Sequence, residues 1–387
     1  MSESQIRVLH VMSGFGGGIS SFIFNKAKEM KEYNIQFDVV TYDECADYFV
    51  NAIHSTGGKI YRMVNPKTEG WHRFNETFTK PLIGNHYDFI HCHITGVRVI
   101  PYYLLAKKHS EAEFYTHAHS SIIYENLSTS GKIKAQTDQM INRRASSLPL
   151  GCGVKAIHSI YGTEVEENDM MVIPNSIDLE DFVINDSRKR DQLRKTYRKT
   201  YGIKTDELVI GHIGRLRSIK NHEKTFEIAQ ELKKQNIKFK MLIIGEGERL
   251  SILEDMVIKY GLEDVIVFTG RISPISELYP ALDLVILPSF SEGLPTVVVE
   301  AQVAGVPVIL SDTITTEVDL GLGMLKFEPV EGAIPSWVEA IKESTQLNIL
   351  SPIERKEAAE NKKFSNEASA ELYADFLRGN IKHFTIS

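Results

Sequence analysis

Glu292 and Glu300, with seven residues between them, stand in the stretch PSFSEGLPTVVVEAQVAGVPVI, 288–309. One carboxylate in a loop and a second about a turn and a half into a helix could line one cleft, accepting hydrogen bonds from sugar hydroxyls and from a ribose diol. The amides of Gly293, Leu294 and Thr296 would point outward at a helix N-terminus, which favours an anion. The bland alternative is a pair of solvated carboxylates, since Glu is common on helices and loops. Local signals supply the elements that position the pair. The apolar run 284–287 is bounded by Pro288 and reads as a buried parallel strand, while Pro295 stands where a first helical residue tolerates proline. Residues 289–294 then form a loop at a strand's carboxyl end, the edge at which open α/β sheets bind ligands.

Two cations follow another apolar run, 208–213: Arg215 and Lys220, ahead of an amphipathic helix carrying Phe226, Ala229 and Leu232. A planar fork and a point charge together suit the two phosphates of a nucleotide diphosphate. Histidines gather at two further strand ends, His91 with His93, and His117 with His119 before Ser120 and Ser121. Each H-x-H pair shares one strand face, so metal ligation is open, but no cysteine or carboxylate cluster completes a zinc site and a polar rim is the simpler reading. A Gly-rich run, Ser13-Gly14-Phe15-Gly16-Gly17-Gly18, follows the apolar run 6–11 and opens a helix with Phe22, Ile23, Ala27 and Met30. A dinucleotide fingerprint would need glycine where Ile19 stands, so NAD is disfavoured while close backbone approach is still allowed.

The apolar runs 6–11, 37–40, 59–62 and 89–92, then 208–213, 241–244, 265–268 and 284–287, alternate with helical intervals, and repeated βα units imply parallel sheets. A short strand is expected at 148–150 and helices at 126–145, 335–340 and 368–377. The 387 residues exceed one typical core and suit two α/β domains. Hydrophobic content of 42%, charged content of 25% and a formal net charge of -7 are those of a soluble globular protein and argue against a general nucleic-acid binder. Cys45, Cys92 and Cys152 are far apart, so neither a disulfide framework nor a zinc motif is suggested and a cytoplasmic home is expected. The N-terminus lacks a signal-type apolar region and no run is long enough to span a bilayer, so membrane contact would be peripheral, at the inner face. Residues 186–204 hold eight Lys or Arg and two Asp; the expectation is a solvated helix at a domain junction, and the alternative is attraction to anionic lipid headgroups.

On these residues the chain resembles family 4 of the retaining glycosyltransferases with the GT-B fold. Glu292 to Glu300 matches that family's E-x7-E signature, and Ser289, Gly293, Pro295, Ala301, Gly305 and Pro307 fall where SxxEGxPxxxxEAxAxGxPVI has them, with Val303 replacing the second Ala. Gly214-Arg215-Leu216 with Lys220-Asn221 is similar to GRLxxxKN, and Ile173-Pro174-Asn175-Ser176-Ile177-Asp178 to IPNGID, with Ser176 replacing Gly. The resemblance implies two Rossmann-like parallel-sheet domains facing a central cleft: 1–185 on the acceptor side, 186–365 binding the nucleotide sugar, and a last segment, 366–387, whose helix crosses back to the first. It implies donor binding by Gly17, Gly18, Arg215, Lys220, Arg271, Ile272, Glu292, Gly293, Leu294, Pro295, Thr296 and Glu300. The backbone after Gly270 would hold the base, Glu300 the ribose and Glu292 the sugar. Ser20 stands where many members have Glu or Gln. His119, before two serines, is the better match to the family's histidine near the transferred sugar, with His117 its rival. The catalytic set implied is His119, Glu292, Arg215 and Lys220.

The activity so implied is hexosyl transfer with retention, from a nucleotide diphosphate sugar, UDP-linked, to a glycan acceptor such as a lipid-diphosphate-linked oligosaccharide, in exopolysaccharide or capsule synthesis. Neither metal nor cofactor is expected. No two aspartates stand two residues apart as a D-x-D pair would require, and Arg215, Lys220 and helix amides would stabilise the leaving diphosphate. Without a carboxylate clearly placed as nucleophile, retention would come from front-face attack. Two other classes share the frame: a nucleotide-sugar 2-epimerase and a non-catalytic nucleotide-sugar-binding partner of another transferase. E-x7-E together with GRLxxxKN favours transfer over epimerisation, and the intact charged residues disfavour a dead partner.

Overall fold

A computed structural model describes residues 4–121 and 127–386. The chain divides into two units, Met1–Ile177 with Lys363–Ser387, and Asp178–Lys362. These borders fall earlier than the expected 185/186 and 365/366. The short helix Leu179–Phe182 belongs to the second unit, where Phe182 packs edge-on against Tyr279 at 5.6 Å.

In the first unit β1 (Ile6–Val11), β2 (Ile35–Thr41), β3 (Ile60–Arg62), β4 (Phe89–Cys92), β5 (Glu113–Ala118), β6 (Leu150–Gly151) and β7 (Met171–Val172) make a parallel sheet ordered β3-β2-β1-β4-β5-β6-β7. Both faces are covered, which is why these strands read as nearly unbroken apolar runs. Phe22, Ile23, Ala27 and Met30 of the helix Gly18–Met30, with Tyr373, Ala374 and Leu377 of the helix Asn366–Leu377, cover one face. Phe74 and Phe78 of the helix Pro66–Gly84 and Tyr102 of Ile100–His109 cover the other. The polar helix runs from Thr129 to Ala145; its expected first residue, Asn126, lies outside the described residues. The strand expected at 148–150 is Leu150–Gly151.

In the second unit β8 (Leu208–Ile213), β9 (Phe239–Ile244), β10 (Ile266–Gly270), β11 (Leu284–Leu287), β12 (Val308–Ser311) and β13 (Leu325–Glu328) make a parallel sheet ordered β10-β9-β8-β11-β12-β13. Strand order therefore reverses between β1 and β4 in one sheet and between β8 and β11 in the other, the switch points at which such sheets open a crevice. The helix after β11, Thr296–Ala304, is rich in β-branched valine, a weak helix former. Packing sustains it: Val297, Val298, Val299, Ala301 and Val303 are all buried. It ends at Gly305, φ 80°, where a Cβ would sit 2.9 Å from the Arg355 guanidinium carbon. Pro295 is the residue before the helix, not its first residue as expected; its ψ of 105° is extended, and its carbonyl accepts from Val298 N at 3.1 Å.

The basic stretch forms the helix Ser187–Thr200 and lies within the second unit. Arg194 and Arg198 pair with Asp283 at 2.7 and 2.6 Å, while Arg188, Lys189, Arg190, Lys195 and Lys199 are exposed. Among the described residues no helix is long and apolar enough to cross a membrane.

Candidate active site

At the carboxyl edge of the second sheet the loops leaving β8 and β9 are laced together. Gly214 N donates to Ile244 O at 2.9 Å, Leu216 N to Glu246 O at 2.9 Å, and Arg249 N to Leu216 O at 3.2 Å. So close an approach requires glycine: a Cβ at Gly245, φ +139°, would lie 2.0 Å from the Gly214 carbonyl oxygen. A Cβ at Gly214 would meet the Lys220 side chain at 2.9 Å, so the lysine stem crosses the glycine. Its Nζ reaches Glu292 Oε1 at 2.6 Å. Asn221, in the left-handed region at φ 54°, donates from Nδ2 to Pro288 O at 3.0 Å and accepts from Lys224 N as the cap of the helix His222–Lys234. Phe290 N donates to Ile219 O at 2.9 Å. The Lys220-Asn221 half of the motif therefore holds the loop that carries Glu292.

The Lys220 and Glu292 side chains are each 15% exposed, so removing one leaves a partly desolvated charge, a larger penalty than losing a surface pair. Arg215 and Arg271 are exposed, Ile272 and Thr296 half-buried, and Gly293, Leu294 and Pro295 buried. Glu300 accepts from Tyr279 Oη at 2.9 Å. Burial raises its pKa, and hydrogen bonds from Thr296 and Tyr279 act against that rise. A carboxylate accepts at about four lone-pair sites, so one tyrosine orients Glu300 without saturating it.

The first sheet assembles histidines. His10 pairs in register with His91 across β1 and β4, and His91 with Tyr115 across β4 and β5. With side chains alternating, His93, His117 and His119 fall on that same face. Phe22 lies edge-on to His117 and His119, ring centroids 4.7 and 5.5 Å away. Two hydrogen-bonded series result. In one, His10 Nδ1 lies 3.1 Å from His93 Nε2, and His93 Nδ1 lies 2.7 Å from His119 Nε2. In the other, Tyr373 Oη lies 2.5 Å from His91 Nδ1, and His91 Nε2 lies 2.9 Å from His117 Nδ1. His117 is fully buried and His119 half-buried, their rings stacked at 4.2 Å. Burial pushes all five pKa values down, that of His119 to about 3, so the rings are neutral near pH 7.

Ligand nitrogens of His10, His91 and His93, and of His93, His117 and His119, lie within 4.8 Å of one another. The closest separations, 2.7 to 3.1 Å, are hydrogen-bond lengths, shorter than the ~3.3 Å between two nitrogens bound to one tetrahedral zinc ion.

Around these rings the first helix ties down two loops. Lys26 Nζ donates to Pro174 O at 3.0 Å and to Ser176 Oγ at 3.2 Å, and lies over the Phe22 ring at 4.6 Å. Burial lowers its pKa to about 7. Asn25 Nδ2 donates to Ser176 O at 2.6 Å, so the serine standing in place of glycine is held through both its hydroxyl and its carbonyl. In the Gly-rich loop, Gly16 and Gly17 have φ of 100° and 83°. Gly16 N donates to Ser20 Oγ at 2.8 Å, closing the loop ahead of the helix.

The structure brings Lys220 and Glu292 into one ion pair and sets Tyr279 on Glu300, while His119, Gly17 and Gly18 belong to the other unit. Sequence reasoning passed over His10, Lys26, Tyr279 and Tyr373. Signals existed for two of them: His10 interrupts an apolar strand, and Lys26 follows Phe22 by four residues, on the helix's apolar stripe.

Residues 194–319 match the model of the glycosyl transferases group 1. Over 346 residues, 88% of each chain, the sequence is 29% identical to the putative glycosyltransferase EpsF of Bacillus subtilis. Over 154 residues, 38% of each chain, it is 30% identical to the UDP-Gal:alpha-D-GlcNAc-diphosphoundecaprenol alpha-1,3-galactosyltransferase of Escherichia coli. The crystal structure of Anabaena HepE in complex with UDP matches with a TM-score of 0.75 at 17% identity, covering 97% of this chain and 100% of that one. The fold is that of the GT-B proteins, with Rossmann-like parallel sheets of seven and six strands.

Proposed function

We propose that this chain, a glycosyltransferase of the GT-B fold, moves a hexose from a UDP-sugar to a glycan acceptor with retained anomeric configuration and without a metal, in the manner of family 4. The observation that carries this reading is the contact of Lys220 with Glu292 at 2.6 Å, made by two loops that leave adjacent strands at a switch point. Such loops join a cation for the leaving diphosphate to a carboxylate for the sugar. A UDP donor is supported by the UDP-bound Anabaena structure and by the UDP-galactose named for the Escherichia coli relative. That relative's diphosphoundecaprenol acceptor supports a lipid-diphosphate-linked glycan here, built in surface-polysaccharide synthesis by a cytoplasmic enzyme touching the inner membrane face.

In this reaction the bond from the anomeric carbon to the diphosphate breaks as the acceptor oxygen attacks from the same face. The acceptor's proton passes to the departing phosphate. Arg215, Lys220 and the amides at the start of the helix Thr296–Ala304 stabilise the charge that builds on the leaving group. Glu300 takes the ribose hydroxyls, Glu292 the sugar, Gly17 and Gly18 approach the diphosphate, and the backbone at Arg271 and Ile272 meets the base. His119 aligns the sugar.

A thermal-shift panel of nucleotide sugars tests the donor: the right one at ~100 times its Kd adds ~2.7 kcal/mol of stability. Transfer should persist in EDTA, and proton NMR of the new linkage should show the donor's configuration. An inverted product removes the mechanism. Activity lost in EDTA and restored by Mg or Mn removes metal independence. Epimerised donor formed without acceptor would make the chain an epimerase instead.

A further inference from the structure

We infer that Tyr279 is a positioning residue for nucleotide recognition: its hydroxyl directs Glu300 as a hydrogen-bond acceptor, and so makes the site select ribonucleotide sugars over their 2′-deoxy counterparts. The inference rests on the reading of Glu300 as the residue that takes the ribose hydroxyls. Tyr279 begins a single turn, Tyr279–Ala281, in the crossover from β10 to β11, and Glu300 lies on the helix Thr296–Ala304. The phenol oxygen is 2.9 Å from Glu300 Oε2 and 3.4 Å from the Val297 carbonyl oxygen. Hydrogen bonds from a hydroxyl to oxygen run from about 2.5 to about 3.0 Å, so the carboxyl group is the partner. The ring that carries the hydroxyl is held in place: Tyr279 is 0% exposed, with Phe182 edge-on to it.

Chemistry fixes the direction of that bond. Burial, and then the charge of Glu300, push the phenol pKa well above the ordinary 10, so Tyr279 stays an O–H donor with a single hydrogen. Were Glu300 protonated and donating, that hydrogen would face only the Val297 carbonyl at 3.4 Å from a fully buried position, a cost the opposite direction avoids. Burial favours the neutral carboxyl, and the hydroxyls of Thr296 and Tyr279 oppose it by bonding to the charged form. An ionised carboxylate only accepts, at about four lone-pair sites. Two protein hydroxyls leave room for the two donors of a ribose diol. The accessible partner is the carboxylate, since Glu300 is half-buried while Tyr279 is fully buried. A 2′-deoxyribose brings one hydroxyl fewer, and a site built to bond a hydroxyl rejects the analogue that lacks it.

Calorimetry of the full chain with UDP and with 2′-deoxy-UDP reads the effect, and the melting temperature of each variant checks its folding. The parent should bind UDP at least about tenfold more tightly than 2′-deoxy-UDP, the scale of one hydrogen bond to a charged group. Tyr279→Phe keeps the buried ring and removes only the oxygen. Its UDP affinity should fall about tenfold and its 2′-deoxy-UDP affinity much less, so that the preference shrinks towards that of Glu300→Gln, and donor KM should rise with kcat much less affected. Carbon-13 NMR of the parent, with the Glu300 carboxyl signal assigned by its loss in Glu300→Gln, should show an ionised group near neutral pH. A protonated Glu300 there overturns the inference whether or not Tyr279→Phe folds. The parental preference retained in a folded Tyr279→Phe, while Glu300→Gln abolishes it, overturns the inference and leaves the ribose reading standing. A preference that survives Glu300→Gln, or is absent from the parent, removes the ribose reading and the inference with it.

Discussion

On and just beyond β1, β4 and β5 the first unit gathers five neutral imidazoles, four of them edge-on to Phe22, whereas beyond β8 and β11 the second unit opposes the charges of Lys220 and Glu292, with Arg249 and Glu223 paired at 2.5 Å nearby. The two sheets reverse strand order in the same way. Topology thus supplies a place for function in both units, and the residues arriving there decide what it can do. Neutral rings can orient hydroxyls at little electrostatic cost, and fixed charges can meet a diphosphate.

Acid should separate the two units most. In His10, His91, His93, His117 and His119 burial depresses the folded pKa below the ordinary 6.5. Each contributes stability that is present above the unfolded value and is lost as pH falls towards the folded one. In the second unit burial also lowers His212, and His222 to about 4, a smaller set. Hydrogen exchange followed from about pH 7 to about pH 4 should show amides of β1, β4 and β5 losing protection before those of β8 and β11. Simultaneous loss would break the contrast.

Next in size, His119→Ala should lower transfer about a hundredfold through lost alignment, with much less change in UDP affinity. His117→Ala, at a fully buried ring, should reduce thermal stability more than chemistry. The reverse ranking would move the site to His117. Turnover of Lys220→Ala and Arg215→Ala should each drop at least about tenfold, as for charge-assisted hydrogen bonds to an anion. Lys220→Ala should be the worse of the two because Glu292 then loses the partner it touches at 2.6 Å. A folded variant at parental turnover excludes that residue from the role.

Calorimetry sharpens the picture within the second unit. Glu300→Gln should weaken UDP binding, whereas Glu292→Gln should mainly slow transfer; equal loss of affinity in both would refute the division. Smallest is the effect of Lys26, whose folded pKa of about 7 is pushed by burial below the ordinary lysine value of 10.5. Between those values the unfolded chain binds the extra proton, so stability rises with pH through that window. In Lys26→Met the rise in melting temperature should flatten, and an unchanged slope would show that Lys26 is not the group responsible.

Much of this was legible locally. Pro288 ends β11, Gly305 ends the helix after it, and the apolar runs at 6–11, 89–92, 208–213 and 284–287 are the strands themselves, because proline, glycine and apolar periodicity act over a few residues. The glycine and lysine of the 214–221 motif were visible as residues, but not that one must lack a Cβ for the other to cross it.

What the sequence alone determined, then, is which residues carry chemistry and on which element each sits. Which of them meet was decided only by tertiary structure. Lys220 and Glu292 join across 72 positions because β8 and β11 are neighbours in the sheet, and His91 meets Tyr373 across 282 because the last helix packs on the first unit's sheet. His10 joins the other histidines only through the register of β1 on β4. Strand order and register are set by the burial of whole faces, and no local propensity encodes them.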